Sequence, residues 1–161
     1  MRRHLILVSL ILIAAAFAWS IIQKERVLSD GQNVLLKLAP VDPRSLMQGD
    51  YMTLRYAIAR ELSEQLSQAD QSQNADGMLV LAVDGRGVGT LVRFDEADTQ
   101  LADGEMRLQY KRRKGSIRLG AESFFFEEGT AEVFEEARYG ELRVAQDGSS
   151  VLVGLRDSSL R

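Results

Sequence analysis

The chain has no cysteine, two prolines and one histidine in 161 residues. Without cysteine there are no disulfides, thiolate nucleophiles, zinc ribbons or iron–sulfur ligands. The histidine is His4, separated from the bulk of the chain by a long apolar run. Everything after that run therefore lacks imidazole. A Ser-His-Asp triad, a Cys-His pair and a histidine-bound zinc are excluded within it. What survives is carboxylate chemistry, Ser/Lys or Thr/Lys chemistry, hard-cation binding through oxygen, or no chemistry at all. Basic charge is also short. Leaving out Arg2 and Arg3, 18 Lys+Arg stand against 23 Asp+Glu, a net charge of −5. Nucleic-acid binding calls for a basic face, so this excess argues against it. No cofactor signature is present. Asp84-Gly85-Arg86-Gly87-Val88-Gly89 is glycine-rich, but it lies between two strand patterns and opens no helix, so it reads as a hairpin and not a phosphate loop.

Apolar residues, by contrast, are concentrated at one end. Of the 18 residues from Leu5 to Ile22, 16 are apolar and none is charged. At 1.5 Å per residue such a helix spans ~27 Å, enough to cross a bilayer core. Trp19 near its far end suits the interfacial belt. No polar face is available to make this a buried helix of a soluble core. Ala16-Phe17-Ala18 also fits a small-x-small signal cleavage pattern. The apolar run continues four residues further, which favours an uncleaved anchor. Residues 1–22 are expected to anchor the chain in a membrane, with the amino end inside and the rest outside the cytoplasm. Residues 23–32 then read as a polar stalk, and 33–161 as one extracytoplasmic domain, long enough to bury a core without staples.

Within that domain the pattern is mostly β. Val34 to Leu38 reads as a strand, and Pro40 and Pro43 bracket a rigid turn. Asp50 to Ile58 alternates, with Met52, Leu54, Tyr56 and Ile58 on one face. From Ala57 to Asp70, Ile58, Leu62, Leu66 and Ala69 fall at helical spacing, and residues 71–77 read as a loop. Met78 to Val83 and Val88 to Phe94 form a hairpin through Asp84-Gly85, and Leu142 to Val144 and Val151 to Val153 another through Asp147-Gly148. Glu105 to Lys111 and Ser116 to Leu119 flank a basic turn, Arg112-Arg113-Lys114-Gly115. Ser123 to Phe126 is an aromatic strand, and Thr130 to Arg138 reads as a helical passage with Val133, Phe134 and Ala137 inward. The expected fold is an antiparallel barrel or sandwich of about eight short strands with one or two short helices.

One cluster carries a resemblance. Gly49, Asp50, Tyr51, Leu54 and Tyr56 fill every position of the pattern G-D-Y-x-x-L-x-Y, and Asp42-Pro43-Arg44 precedes them. The sequence resembles the GDYXXLXY family of bacterial membrane-anchored proteins. Phe125-Phe126-Glu127-Glu128-Gly129 is similar to a later aromatic pair with Glu-Gly in that family, with Phe-Glu standing where Ile-Pro or Val-Pro is common. The resemblance implies a membrane location, here the bacterial inner membrane with the domain in the periplasm, and company with a polytopic membrane protein. It implies no mechanism.

Two sets of residues are candidate sites. Asp42, Pro43, Arg44, Gly49, Asp50, Tyr51, Leu54 and Tyr56 make either a turn-and-strand corner or the lining of a groove. Lys111, Arg112, Arg113 and Lys114 form the densest positive run, suited to a solvated hairpin tip or a partner surface. The expected role is a binding or accessory module for an integral-membrane partner, with no cofactor and no metal. One alternative is a Ser/Lys hydrolase. An anchored β domain with Ser45-Leu46-Met47 and Gly49-Asp50 resembles type I signal peptidases, Ser45 as nucleophile and Lys111 or Lys114 as base. Ser45 is not directly followed by Met, however, and no proline follows Met47. The other alternative is a small-ligand site near Asp42, Arg44 and Asp50.

Overall fold

The structure is a computed structural model and describes residues 2–39, 47–48, 51–67, 75–95, 100–113, 116–127, 130–134 and 136–160. It opens with one helix, α1 (Arg2–Asp30). The polar segment expected as a stalk is thus a helical continuation of the apolar run. Residues 23–30 contain neither proline nor glycine, so nothing interrupts the hydrogen-bond ladder. Gly31 ends it. A Cβ there would collide with the Val27 carbonyl oxygen, so glycine is what fits.

Among the described residues the strands that follow are β1 (Gln32–Lys37), β2 (Met47–Gln48), β3 (Tyr51–Thr53), β4 (Ala75–Val83), β5 (Gly89–Phe94), β6 (Glu105–Arg113), β7 (Ser116–Arg118), β8 (Ser123–Phe125), β9 (Tyr139–Val144) and β10 (Ser150–Arg156). Helix α2 (Ala57–Ser67) lies between β3 and β4, and α3 (Ala131–Phe134) between β8 and β9. The strands form three antiparallel sheets ordered β1-β9-β10, β2-β3-β8 and β5-β4-β6-β7. Single bridges stitch the sheets together. Leu35 pairs with Val88, and Leu38 with Tyr56. The Gln109 N–H also donates to the Gly148 carbonyl at 2.8 Å. The fold is mostly β and curls as a partial barrel around one core.

That core takes alternate residues from nearly every element, as a period of two demands. Val34 and Leu36 enter from β1, Leu79 and Leu81 from β4, Met106 and Leu108 from β6, and Leu142 and Val144 from β9. Ile58 and Leu62 close it from α2. Val80 points the other way yet is fully buried. It pairs with Arg93 on one side and Arg107 on the other. Those arginines hold Glu105 and Asp95 at 2.6 Å, so an ion-paired layer covers this face of the sheet.

Several local expectations change. The strand expected from Asp50 to Ile58 stops at Thr53, because α2 begins at Ala57. Its buried face survives: Met52, Leu54, Tyr56 and Ile58 are all in the core. Residues 75–77, expected in a loop, extend β4. The helical passage after Thr130 is a single turn, and Val133 points outward at 74% exposure. The Thr130 hydroxyl donates to the Glu127 carbonyl at 2.7 Å, a local turn that competes with capping. Phe134 does turn inward, with its ring 5.0 Å from Phe124 and 5.7 Å from Phe126. Phe125 lies on the opposite side of edge strand β8 and is 74% exposed.

Arg112 departs furthest from a turn. β6 runs through Arg113, so residue 112 shares the inward face with Met106 and Leu108 and is buried. Arg113, on the outer face, pairs with Asp76 at 2.7 Å.

Candidate functional site

The segment from Met52 to Ile58 is built on two faces. Inward, the Tyr56 ring lies against the backbone of β9. A Cβ at Gly140 would fall 2.9 Å from a ring carbon, so glycine is what admits the tyrosine. The phenol donates to the Ala121 carbonyl at 2.7 Å. Burial, with the Glu122 carboxylate nearby, raises its pKa well above the ordinary tyrosine range, so the phenol holds its proton. Tyr56 is therefore a neutral, hydrogen-bonded core residue. Leu54 is buried beside it at 2% exposure.

Outward, the same segment walls a cleft of about 460 Å³. Arg55 follows from alternation: if Leu54 and Tyr56 face in, it faces out. Ala59, Arg60 and Ser63 contribute from α2, Ser116, Ile117 and Arg118 from β7, and Glu122 and Ser123 from the start of β8. Ser63 ties the walls together. Its hydroxyl donates to the Ala59 carbonyl at 2.7 Å and accepts the Ile117 N–H at 3.3 Å. Glu122 accepts the N–H groups of Leu119 and Gly120, pinning the turn that leads out of β7. Three arginines thus face one glutamate, and that glutamate is already engaged with backbone. Arg60 has an exposed partner one turn away, Glu64, at 3.0 Å. Among the described residues Arg55 and Arg118 have no ion-pair partner.

A smaller cleft of about 150 Å³ shares Arg118 and adds Lys111, Gly120, Ser149, Ser150 and Lys24 of α1. Lys24 is held there because α1 is clamped to the domain. Val27 is buried, and the Arg143 guanidinium donates to the Gly31 carbonyl at 2.8 Å. Asp147 is held below the usual carboxylate range, first by the Ser149 hydroxyl and N–H, with Lys24 adding to the pull.

The sequence candidates divide accordingly. Leu54 and Tyr56 are brought together in the core, on the inner side of the cleft wall. Tyr51 lies in β3, opposite Phe125 of β8. Asp42, Pro43, Arg44, Gly49 and Asp50 lie outside the described residues. In the basic run, Lys111 is exposed and borders the smaller cleft, Arg112 is buried, Arg113 is ion-paired, and Lys114 lies outside the described residues. The Ser/Lys chemistry required a buried lysine. Lys111 is exposed, and Ser45 is also outside the described residues. Arg55, Arg60 and Arg118 were not singled out from sequence. For Arg55 the signal was its place between two inward residues. For Arg118 it was its place beside Ile117.

The family model for the GDYXXLXY protein matches residues 13–155, from within the apolar helix to the last strand. The chain belongs to the GDYXXLXY family. No curated protein and no solved structure matches it. For a GDYXXLXY protein the geometry gives the motif a physical meaning. Its leucine and last tyrosine are core residues, and the x between them is the arginine that reaches the cleft.

Proposed function

We propose that this GDYXXLXY protein is a single-pass, amino-terminally anchored module that serves an integral-membrane partner. The β domain is held in the periplasm, against the outer face of a bacterial inner membrane. The observation that carries this reading is the division of α1. Its apolar stretch is exposed along the described residues, with Phe17 at 68% and Trp19 at 64%, while Val27 is buried against the domain. A helix apolar on all sides needs a lipid solvent or another helix. One helix long and apolar enough to cross a membrane, Ile6–Asp30, is present among the described residues. The continuous helix and its clamp keep the domain at the membrane surface, where its reach is limited to neighbours in the bilayer.

Two measurements test this. The chain has no native cysteine, so Arg86→Cys at an exposed hairpin turn gives a clean label. A membrane-impermeant maleimide should label it in intact spheroplasts; labelling only after lysis would refute the periplasmic placement. Gentle detergent extraction of the tagged chain should recover a polytopic membrane protein. A variant with Asp42→Ala, Arg44→Ala and Asp50→Ala that melts like the parent should lose it. Recovery of nothing with either sinks the accessory role.

A further inference from the structure

We infer that the arginine-lined cleft binds the phosphate of an anionic phospholipid headgroup from the leaflet in which the chain is anchored. The inference rests on the membrane anchoring proposed above. Lys24 lies two residues beyond Ile22, the last residue of the apolar run, a rise of about 3 Å along the helix. The headgroup layer on each side of a bilayer is roughly 5–7 Å deep, so Lys24 sits within it. Lys111 and Arg118 line the same small cleft as Lys24, and are therefore held at headgroup level too. Arg118 is shared with the larger cleft, which Arg55 and Arg60 also line. A cationic path thus leads from the membrane surface into a concave site of about 460 Å³.

The charge distribution supports this occupant. The chain beyond the apolar run has a net charge of −5. Most of the described arginines on the sheets are committed: Arg93, Arg107, Arg113 and Arg156 each hold a carboxylate at 2.6–2.7 Å. Arg55 and Arg118 are exposed and, among the described residues, have no such partner. A planar guanidinium matches two phosphate oxygens at once, and two such forks across a cleft suit a phosphodiester. The hydroxyls of Ser116 and Ser123, which also line the cleft, suit a glycerol headgroup.

The test is native mass spectrometry of the full-length chain in detergent micelles. The added probes are phosphatidylglycerol, phosphatidylcholine, or soluble glycerol 3-phosphate. The expected result is saturable phosphatidylglycerol binding, at least tenfold tighter than phosphatidylcholine or glycerol 3-phosphate. Arg55→Gln and Arg118→Gln, singly, should each weaken it roughly tenfold. Arg86→Gln removes the same charge at a distant hairpin and should leave it unchanged. Both arginines are exposed, so melting temperatures should match the parent and exclude misfolding as the cause. Equal binding of the two lipids, equal binding by the arginine variants, or glycerol 3-phosphate binding as tight as the lipid would each overturn the proposal. Alkaline carbonate extraction reads the anchor separately. Protein retained in the membrane pellet with no lipid preference overturns the headgroup site and spares the anchor. Protein released by carbonate overturns the anchor, and the micelle titration then decides the cleft.

Discussion

Leu54 and Arg55 are neighbours in the chain and opposites in the fold. One is sealed in the core at 2% exposure, and the other opens onto the cleft. The same holds for the whole stretch from Met52 to Ile58. Its even-numbered positions are buried in the core, with Leu54 and Tyr56 also backing the cleft, and Thr53 and Arg55 are exposed on it. A motif that looks like one functional signature is thus two superimposed instructions. The inner one specifies where the wall stands, and the outer one what the wall presents. Charge at the cleft and stability of its wall should therefore respond to different substitutions along alternate residues.

The sharpest break of that separation comes at Leu54. Leu54→Ala removes a buried side chain of the shared core and leaves a cavity. The expected loss is about 3 kcal/mol, on the order of 10 °C in melting temperature. Thermal unfolding followed by circular dichroism in micelles checks it. A loss under about 1 kcal/mol would mean that the wall is not anchored through this position. Tyr56→Phe should cost less, about 1.5 kcal/mol. It leaves the Ala121 carbonyl without the phenol that donates to it at 2.7 Å, in a site closed to water. The ring stays, so its packing against Gly140 is kept.

A third prediction compares arginines. Arg93 forks onto Glu105 at 2.6 and 2.8 Å, while Arg55 has no carboxylate among the described residues. That fork, with the Ala102 N–H, brings the Glu105 carboxyl down from 4.5 to about 2. A carboxyl whose folded value is depressed stabilises the fold above its unfolded value. The contribution is fully present above about pH 4.5 and is lost as the pH falls toward 2. The parent should lose melting temperature across that window. Glu105→Gln should melt lower at neutral pH and show a shallower acid slope. Asp76, Asp84 and Asp147, also held low by hydrogen bonds, keep part of the slope in the variant. An unchanged slope would mean the pair adds nothing.

Much of this was legible from sequence because it is local. The Asp84 and Asp147 hairpins were readable since each aspartate accepts N–H groups two residues on, Arg86 at 2.8 Å and Ser149 at 2.9 Å. The inward face of Met52, Leu54, Tyr56 and Ile58 was readable from period two. The extent of the strand was not. Tyr56 keeps alternating after β3 has ended, with only one bridge to Leu38. Arg112 opens a run of four turn-like residues whose local signal opposes the phase set by Met106 and Leu108. The cleft was illegible for a different reason. It exists because α2 packs on β7, and Ser63 meets Ile117 across 54 residues. No spacing rule connects Arg55 to Arg118, so neither stood out beside the longer basic run that follows Tyr110.

The smallest expected stability effect sharpens the comparison most. Arg55→Gln should change stability by less than about 0.5 kcal/mol, because an exposed side chain with no carboxylate partner among the described residues contributes little to folding. Removing a positive charge from a cleft that also holds Arg60 and Arg118 relieves some like-charge repulsion, so any shift should be upward. Chemical denaturation in micelles at low and high salt reads this directly: the difference between variant and parent should shrink as salt screens the cluster. A loss of more than 1 kcal/mol would show that Arg55 belongs to the inner instruction after all, holding the wall in place. Residues 54 and 55 would then share a single structural duty. A neutral or slightly stabilised variant leaves Arg55 with no structural reason to be a cation, and makes the cleft's contents the reason for its charge.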